Sequence, residues 1–285
     1  MNAVDNKGPF FENGHFYSPV VDTADIRARA AELWPGRDGS LGIDFRKHSQ
    51  LALLEQTFPK HLPGFNYPST ASDALDEDGR QWFYLDNDHF SNLDAVTLFV
   101  LLCELRPRRV IEIGSGFSSL LMADVRRRFF QDRLEIHCIE PYPRPFLRDT
   151  AYGLDLIESK VQDVPLSFFE MLEPGDVLFI DSSHVSKTGS DVNYLMFEVV
   201  PRLLPGVYVH IHDIFLPNDY PFEWVVKENR SWNEQYVVQA YLMFNHRAKV
   251  LFGSAYANTV LAEQTVKALD GKAALYGGSL WFQIC

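Results

Sequence analysis

The chain has 285 residues, 46% of them hydrophobic and a net charge of −12 with a pI near 5.2. That is ample for a buried core of one large domain, or of a domain with an appended cap, and it excludes disorder as the default. An acidic surface offers no field to a phosphate backbone, so nucleic acid is not an expected partner. Cys103, Cys138 and Cys285 form neither a metal spacing nor a disulfide framework, which fits a reducing cytoplasm. The opening residues Met1 to Phe10 lack a basic-then-apolar leader pattern, and the longest apolar run, Ala95 to Cys103, is too short to cross a bilayer, so no membrane association is expected.

Residues 1–90 are punctuated by proline and glycine around two short helix candidates, Thr23 to Trp34 and Asp44 to Phe58, with acid-rich loops from Ser72 to Gly79. This stretch reads as an N-terminal, mainly helical cap on the substrate side of a domain spanning 91–285. Its many aromatics, among them Phe10, Phe16, Phe58, Phe65 and Phe83, are read first as seals between cap and core.

From Asn92 to Arg106 a strongly apolar helix leads through Pro107 into Arg109-Val-Ile-Glu-Ile-Gly-Ser-Gly-Phe-Ser-Ser119. This is a β-branched strand, a glycine turn, and then a helix predicted over Phe117 to Arg128. A backbone that turns tightly and also lies against a ligand has no room for a Cβ, which accounts for Gly114 and Gly116. The dense basic run Arg126 to Arg128 falls at the helix end, where it suits the dipole.

Strand and helix patterns then alternate, which predicts a parallel sheet covered on both faces. The expected strands are Leu134 to Glu140, Leu154 to Glu158, Asp176 to Asp181 and Val207 to Asp213, with a helix at about Asp191 to Leu204. A loop from Phe215 to Phe222, a helix near Asn233 to Asn245, and strands Ala248 to Phe252 and Ser279 to Ile284 complete the chain.

The third glycine of the dinucleotide fingerprint would fall at position 119, which is Ser119. The form Glu112-x-Gly114-x-Gly116 instead resembles motif I of the class I methyltransferases that use S-adenosylmethionine. A third glycine frequent in that family is replaced here by Ser118. The resemblance implies a Rossmann-like α/β fold with a seven-stranded, mostly parallel sheet, helices on both faces and a closing antiparallel pair. It also implies that the loop (Glu112, Gly114, Ser115, Gly116, Ser118) holds the methionine end of the donor. Glu140, at the end of the second strand, would take the ribose hydroxyls, and Gln162 and Asp163 would lie near adenine, with Asp181 also on the donor side.

In an open parallel sheet, ligands bind beyond the carboxyl ends of the strands, where Gly114, Glu140, Asp181 and His212-Asp213 all fall. Asp181-x-x-His184, with His-Asp ending the fifth strand, resembles the branch that includes macrolide-sugar O-methyltransferases and cephalosporin hydroxylase-like proteins. The resemblance covers about Asn92 to Phe252. His184, His212 and Asp213 are the catalytic candidates, as a general base for an acceptor hydroxyl. Asp181, His212 and Asp213 could alternatively hold a divalent metal that lowers the hydroxyl's pKa. Some relatives use an all-carboxylate magnesium site, and a histidine here stands where an acid would be. His210, one step deeper on the same strand face, reads as a satisfied core residue. The expected activity is methyl transfer from S-adenosylmethionine to a small hydroxylated acceptor, a sugar or secondary metabolite. An NAD(P)-dependent oxidoreductase and a non-catalytic binding module on the same fold are the alternatives.

Overall fold

The computed structural model describes residues 8–285, so Met1 to Lys7, read above for a leader, lie outside the described residues. Seven strands form one sheet: β1 (Arg109–Ile113), β2 (Glu135–Ile139), β3 (Asp155–Ile157), β4 (Val177–Ile180), β5 (Tyr208–Ile211), β6 (Ala248–Gly253) and β7 (Leu280–Ile284). Their order is β3-β2-β1-β4-β5-β7-β6, with β7 running antiparallel to both of its neighbours and the other pairs parallel. The parallel sheet expected from the alternation is therefore present, and so is the Rossmann-like, seven-stranded form with a closing antiparallel pair that the resemblance implied. Chain order reverses between β1 and β4, which opens the crevice where such sheets bind ligands.

The strands are nearly continuous apolar runs because both faces are covered: all of Val110 to Ile113 and all of β4 are buried. The helix Asn92–Leu105 is buried from Leu93 through Cys103, as a helix apolar all round must be. Phe99, fully buried, packs edge-on against Phe65 and Phe129, and truncating it to alanine should cost about 3–5 kcal/mol.

The segment before the sheet is joined to this core. Phe45 stacks on Tyr256 at 4.6 Å, and Phe58 lies against Phe252 at 5.5 Å. Gln50 donates to the carbonyl of Phe45 and accepts from the N–H of Gly253. Phe58, Phe65 and Phe83 are seals, whereas Phe10 and Phe16 stand 94% and 91% exposed. The arginine run does more than face a helix dipole. Arg127 and Arg128 both pair with buried Asp124, which also accepts from the Tyr67 hydroxyl at 2.8 Å, and Arg127 lies 4.0 Å over Trp82.

Several helices differ from expectation. The stretch Thr23 to Trp34 breaks at Arg29 into Thr23–Ala28 and Ala30–Leu33, neither of which buries a residue that would hold it straight. The second candidate starts only at Lys47, because Arg46 is left-handed, and it widens into a π-turn over Leu53–Thr57 before Phe58–His61. Pro59 supplies no N–H there, so the regular ladder cannot continue. Pro201 acts alike: the helix expected over Asp191 to Leu204 becomes Asp191–Tyr194, a π-turn Leu195–Val199 and a 3₁₀ turn Val200–Arg202. Two helices not anticipated, Ser254–Val260 and Ala262–Leu269, carry the chain from β6 to β7.

Candidate active site

The glycine loop follows β1 at the carboxyl edge of the sheet. Gly114 sits at φ +77°, and a Cβ added there would lie 1.7 Å from the backbone oxygen of Asp181, so only glycine lets β1 and β4 close on each other. Gly116 is required by nothing so near: a Cβ there meets no atom within 4 Å.

Glu112 does not open onto this crevice. It is 0% exposed, and its carboxylate accepts from the hydroxyls of Ser118 and Ser119 and from the Cys138 thiol. Burial raises its pKa to about 7, with those hydrogen bonds pulling the other way. Glu112 and Ser118 therefore brace the loop from behind, and the expectation that they touch the donor is corrected. Ser119 completes the brace by accepting from the Gly116 N–H at 3.0 Å.

In front of the loop lies a cavity of about 590 Å³ walled by Gly114, Glu140, Gln162 and Asp181, together with Tyr142 and Ser182. Glu140 accepts from the N–H groups of Ser115 (3.3 Å) and Tyr142 (2.8 Å), which fixes its carboxylate beside the glycine turn. Gln162 donates to the carbonyl of Gly189 at 2.9 Å. Ser115 and Gly116 continue the loop toward the helix without lining the cavity, and Asp163 is exposed outside its wall. The hydroxyls of Ser115 and Ser182 are buried with no partner. An acid positioned at a strand end, a glycine-lined turn and an unanswered wall hydroxyl suit a ligand that carries hydroxyl groups, as a nucleoside does.

A second cavity, about 460 Å³, adjoins the first. Its walls include Asp94, Asp181, His184, His212 and Asp213. Trp224, Arg230 and Trp232 close it from the loop after β5, with Arg230 over both indoles at 4.1 and 4.7 Å. Asp181 walls both cavities.

The structure brings the predicted catalytic residues together. His184 Nε2 lies 3.4 Å from Asp181 Oδ1 and 3.5 Å from Asp213 Oδ2, and its Nδ1 lies 2.9 Å from Glu234 Oε2. Burial opposes a charge on this ring, but Asp181 and Glu234 outweigh it and raise its pKa to about 10. Both ring nitrogens of His184 thus face carboxylates, which favours the protonated ring. His212 Nε2 lies 3.6 Å from Asp213 Oδ1, and its pKa too is raised, with Asp213, Asp181 and Asp94 overcoming burial. Asp213 is pushed up by burial while His212 and His184 pull it down, and Asp181 is held low by the histidines despite its burial. His210 is a core residue, fully buried, stacked on Phe179 at 3.8 Å and bonded through Nε2 to Ser279, but its Nδ1 has no partner, so it is not the fully satisfied histidine expected.

Sequence reasoning missed Asp94 and Glu234. Both are acids in the first turn of a helix, where they read as ordinary complements to the dipole. Only the tertiary fold turns Glu234 toward His184 and Asp94 toward the N–H groups of Gly278 and Ser279.

Ligand atoms of Asp181, His212 and Asp213 lie within 4.8 Å of one another, so this trio is the candidate metal centre. No helix among the described residues is long and apolar enough to cross a membrane.

Comparison with known proteins finds a family match on this part of the chain. Residues 111–214, from the middle of β1 to just past β5, match the model of a methyltransferase domain. An uncharacterized protein of Archaeoglobus fulgidus is 41% identical over 177 residues, covering 60% of this chain and 78% of that protein. Among solved structures, MycE methyltransferase from the mycinamycin biosynthetic pathway, in complex with Mg and SAH, is 21% identical with a TM-score of 0.28. That match covers 38% of this chain, which spans only 28% of MycE. Precorrin-6y C5,15-methyltransferase from Geobacter metallireducens is 14% identical with a TM-score of 0.38, over 76% of this chain and 97% of that one. Gly114, Glu140, Asp181 and His212-Asp213 all lie inside the matched segment, so the chain carries a methyltransferase domain.

Proposed function

We propose that the chain methylates a hydroxyl oxygen of a small hydroxylated acceptor, a sugar or secondary metabolite, bound in the cavity between β5 and the Trp224–Trp232 loop. One observation carries this reading: Asp181 is a wall common to both cavities, so a donor on one side and an acceptor on the other meet at the cluster of Asp181, His184, His212 and Asp213.

Bound S-adenosylmethionine supplies an electrophilic methyl group on a sulfonium. Gly114, Glu140, Gln162 and Asp181 would hold it, with Ser115 and Gly116 shaping the loop and Glu112 and Ser118 keeping that loop rigid. On the acceptor side Asp213 is the proton acceptor, a partly buried carboxylate whose pKa desolvation pushes above its ordinary value. The acceptor oxygen forms its new bond to carbon as the carbon–sulfur bond breaks with its electron pair to sulfur, and the hydroxyl proton passes to Asp213. His184 stays protonated and serves as a fixed cation that orients both aspartates. A divalent ion on Asp181, His212 and Asp213 would add Lewis acidity toward the same hydroxyl.

We further propose that residues 1–90 act as the acceptor-side cap and 91–285 as the methyltransferase domain. In support, Asp88 and His89 line the acceptor cavity. Trp34 donates its indole N–H to the carbonyl of Tyr220 at 2.8 Å, on the loop that carries the tryptophans.

The test is incubation with methyl-labelled S-adenosylmethionine and a panel of sugars, phenols and amines, reading the product carbon by NMR. Oxygen-bound methyl is expected. Methyl found only on nitrogen or carbon overturns the acceptor reading.

A further inference from the structure

The metal-competent trio at the ends of β4 and β5 carries more information than its acids alone. His212 is 7% exposed, yet its Nδ1 has no hydrogen-bond partner. An unanswered buried group of this kind costs about 1–3 kcal/mol. Asp94 Oδ2 stands 3.9 Å from that Nδ1, while the other ring nitrogen, Nε2, faces Asp213 Oδ1 at 3.6 Å. A metal-bound imidazole commonly gives the N–H of one nitrogen to an outer carboxylate and directs the lone pair of the other at the ion; here Asp94 lies beyond hydrogen-bond distance of Nδ1 and would have to close by about 1 Å to receive it. Asp94 is itself fixed, because it is buried and accepts from the N–H groups of Gly278 (2.8 Å) and Ser279 (3.0 Å). The ring packs against Phe90, 5.2 Å between centroids, which limits its swing away from the aspartates.

The donor set therefore comprises two carboxylates and one nitrogen. Magnesium favours oxygen donors in strict octahedral geometry, whereas imidazole suits first-row transition ions. We propose that Asp181, His212 and Asp213 bind a divalent first-row transition ion in preference to magnesium, with Asp94 as the positioning carboxylate behind His212. The inference deepens the acceptor-site reading and rests on its placing of these residues. It is tested by metal binding and not by turnover, so the two can fail separately.

The experiment uses the full chain, stripped with chelator and dialysed, titrated calorimetrically with Co²⁺ and with Mg²⁺, and followed in the visible by the Co²⁺ spectrum. Nearly any site with nitrogen and oxygen donors prefers Co²⁺ to Mg²⁺, so the decisive quantity is how the preference changes when the nitrogen is removed. His212→Glu should reduce the Co²⁺-over-Mg²⁺ affinity ratio at least roughly tenfold and alter the Co²⁺ spectrum. Asp94→Asn should weaken Co²⁺ binding roughly 10–100-fold, the range for losing an outer-sphere partner. Should His212→Glu fail to fold, Asp213→Asn replaces it and must weaken Co²⁺ binding at the same single site. A ratio unchanged in His212→Glu, a Co²⁺ affinity indifferent to Asp213→Asn, or the absence of any binding at the wild-type site overturns the proposal. Loss of metal binding with oxygen methylation intact would refute this inference alone.

Discussion

The two sides of the crevice differ in how their polar groups are answered. At the glycine loop, Glu112 is met by two hydroxyls and a thiol, the Gly116 N–H by Ser119, and Glu140 by two backbone N–H groups. Across the crevice, His212 Nδ1 and Glu234 Oε1 are buried without partners, and His184 and Asp213 hold left-handed backbones at φ +60° and +57°. Such conformations cost energy for a residue with a Cβ and persist where the surroundings enforce them, a pattern associated with functional positions. The charged groups at the loop are therefore answered within the fold, leaving the hydroxyls of Ser115 and Ser182 unpaired there, whereas the other side leaves a buried imidazole nitrogen and a carboxylate oxygen that a ligand or ion can satisfy.

The sharpest way to break this contrast is to separate the two functions. Asp213→Asn should lower turnover by roughly 10²–10⁴ while S-adenosylhomocysteine affinity stays within about threefold, because the proposed proton acceptor lines the second cavity and not the first. Calorimetry beside a single-turnover assay reads both, and a joint collapse would mean that the cavities are one site.

A second test concerns the brace. Glu112 titrates near 7 in the fold against an ordinary 4.5, so the folded chain holds this proton more tightly than the unfolded one. Stability from this group is greatest below about pH 4.5 and declines as pH rises to about 7, a loss of about 3 kcal/mol. Glu112→Gln should lack that decline, so its advantage over wild type in denaturant midpoint should widen across this window. Parallel pH curves would show that the buried carboxyl does not titrate as the geometry requires.

A smaller loss is expected at Glu140, whose charged acceptor is worth about 1.5–3 kcal/mol. Glu140→Ala should weaken S-adenosylhomocysteine roughly 10–100-fold, with acceptor KM nearly unchanged. Equal losses for both ligands would shift Glu140 from donor holding to general scaffolding. The smallest effect belongs to Tyr67→Phe, which removes a hydrogen bond to Asp124 remote from both cavities. Stability should fall by about 1 kcal/mol, read by denaturant midpoint, with both affinities untouched.

How much of this contrast the sequence carried depends on the kind of signal. The strands were legible because β-branched runs such as Val110-Ile-Glu-Ile113 leave little other choice, and their ends pointed to Gly114, Glu140, Asp181 and His212-Asp213 before any coordinates. Roles were less legible than places. Whether a carboxylate faces a cavity or the back of a loop is decided by neighbours distant in sequence, so Glu112 read as a ligand although Ser118 and Ser119 consume it. The charge on His184 depends on Glu234, fifty residues onward in the chain. Prolines at 59 and 201 sit inside otherwise periodic segments, and the wide turns around them follow from a missing donor that periodicity does not register.

Asp181 has one more consequence. Because it walls both cavities, a donor and an acceptor bound as proposed would each meet the same side chain. The binding free energies are then linked, and linkage is reciprocal: the factor by which S-adenosylhomocysteine changes acceptor affinity must equal the factor by which acceptor changes that of S-adenosylhomocysteine.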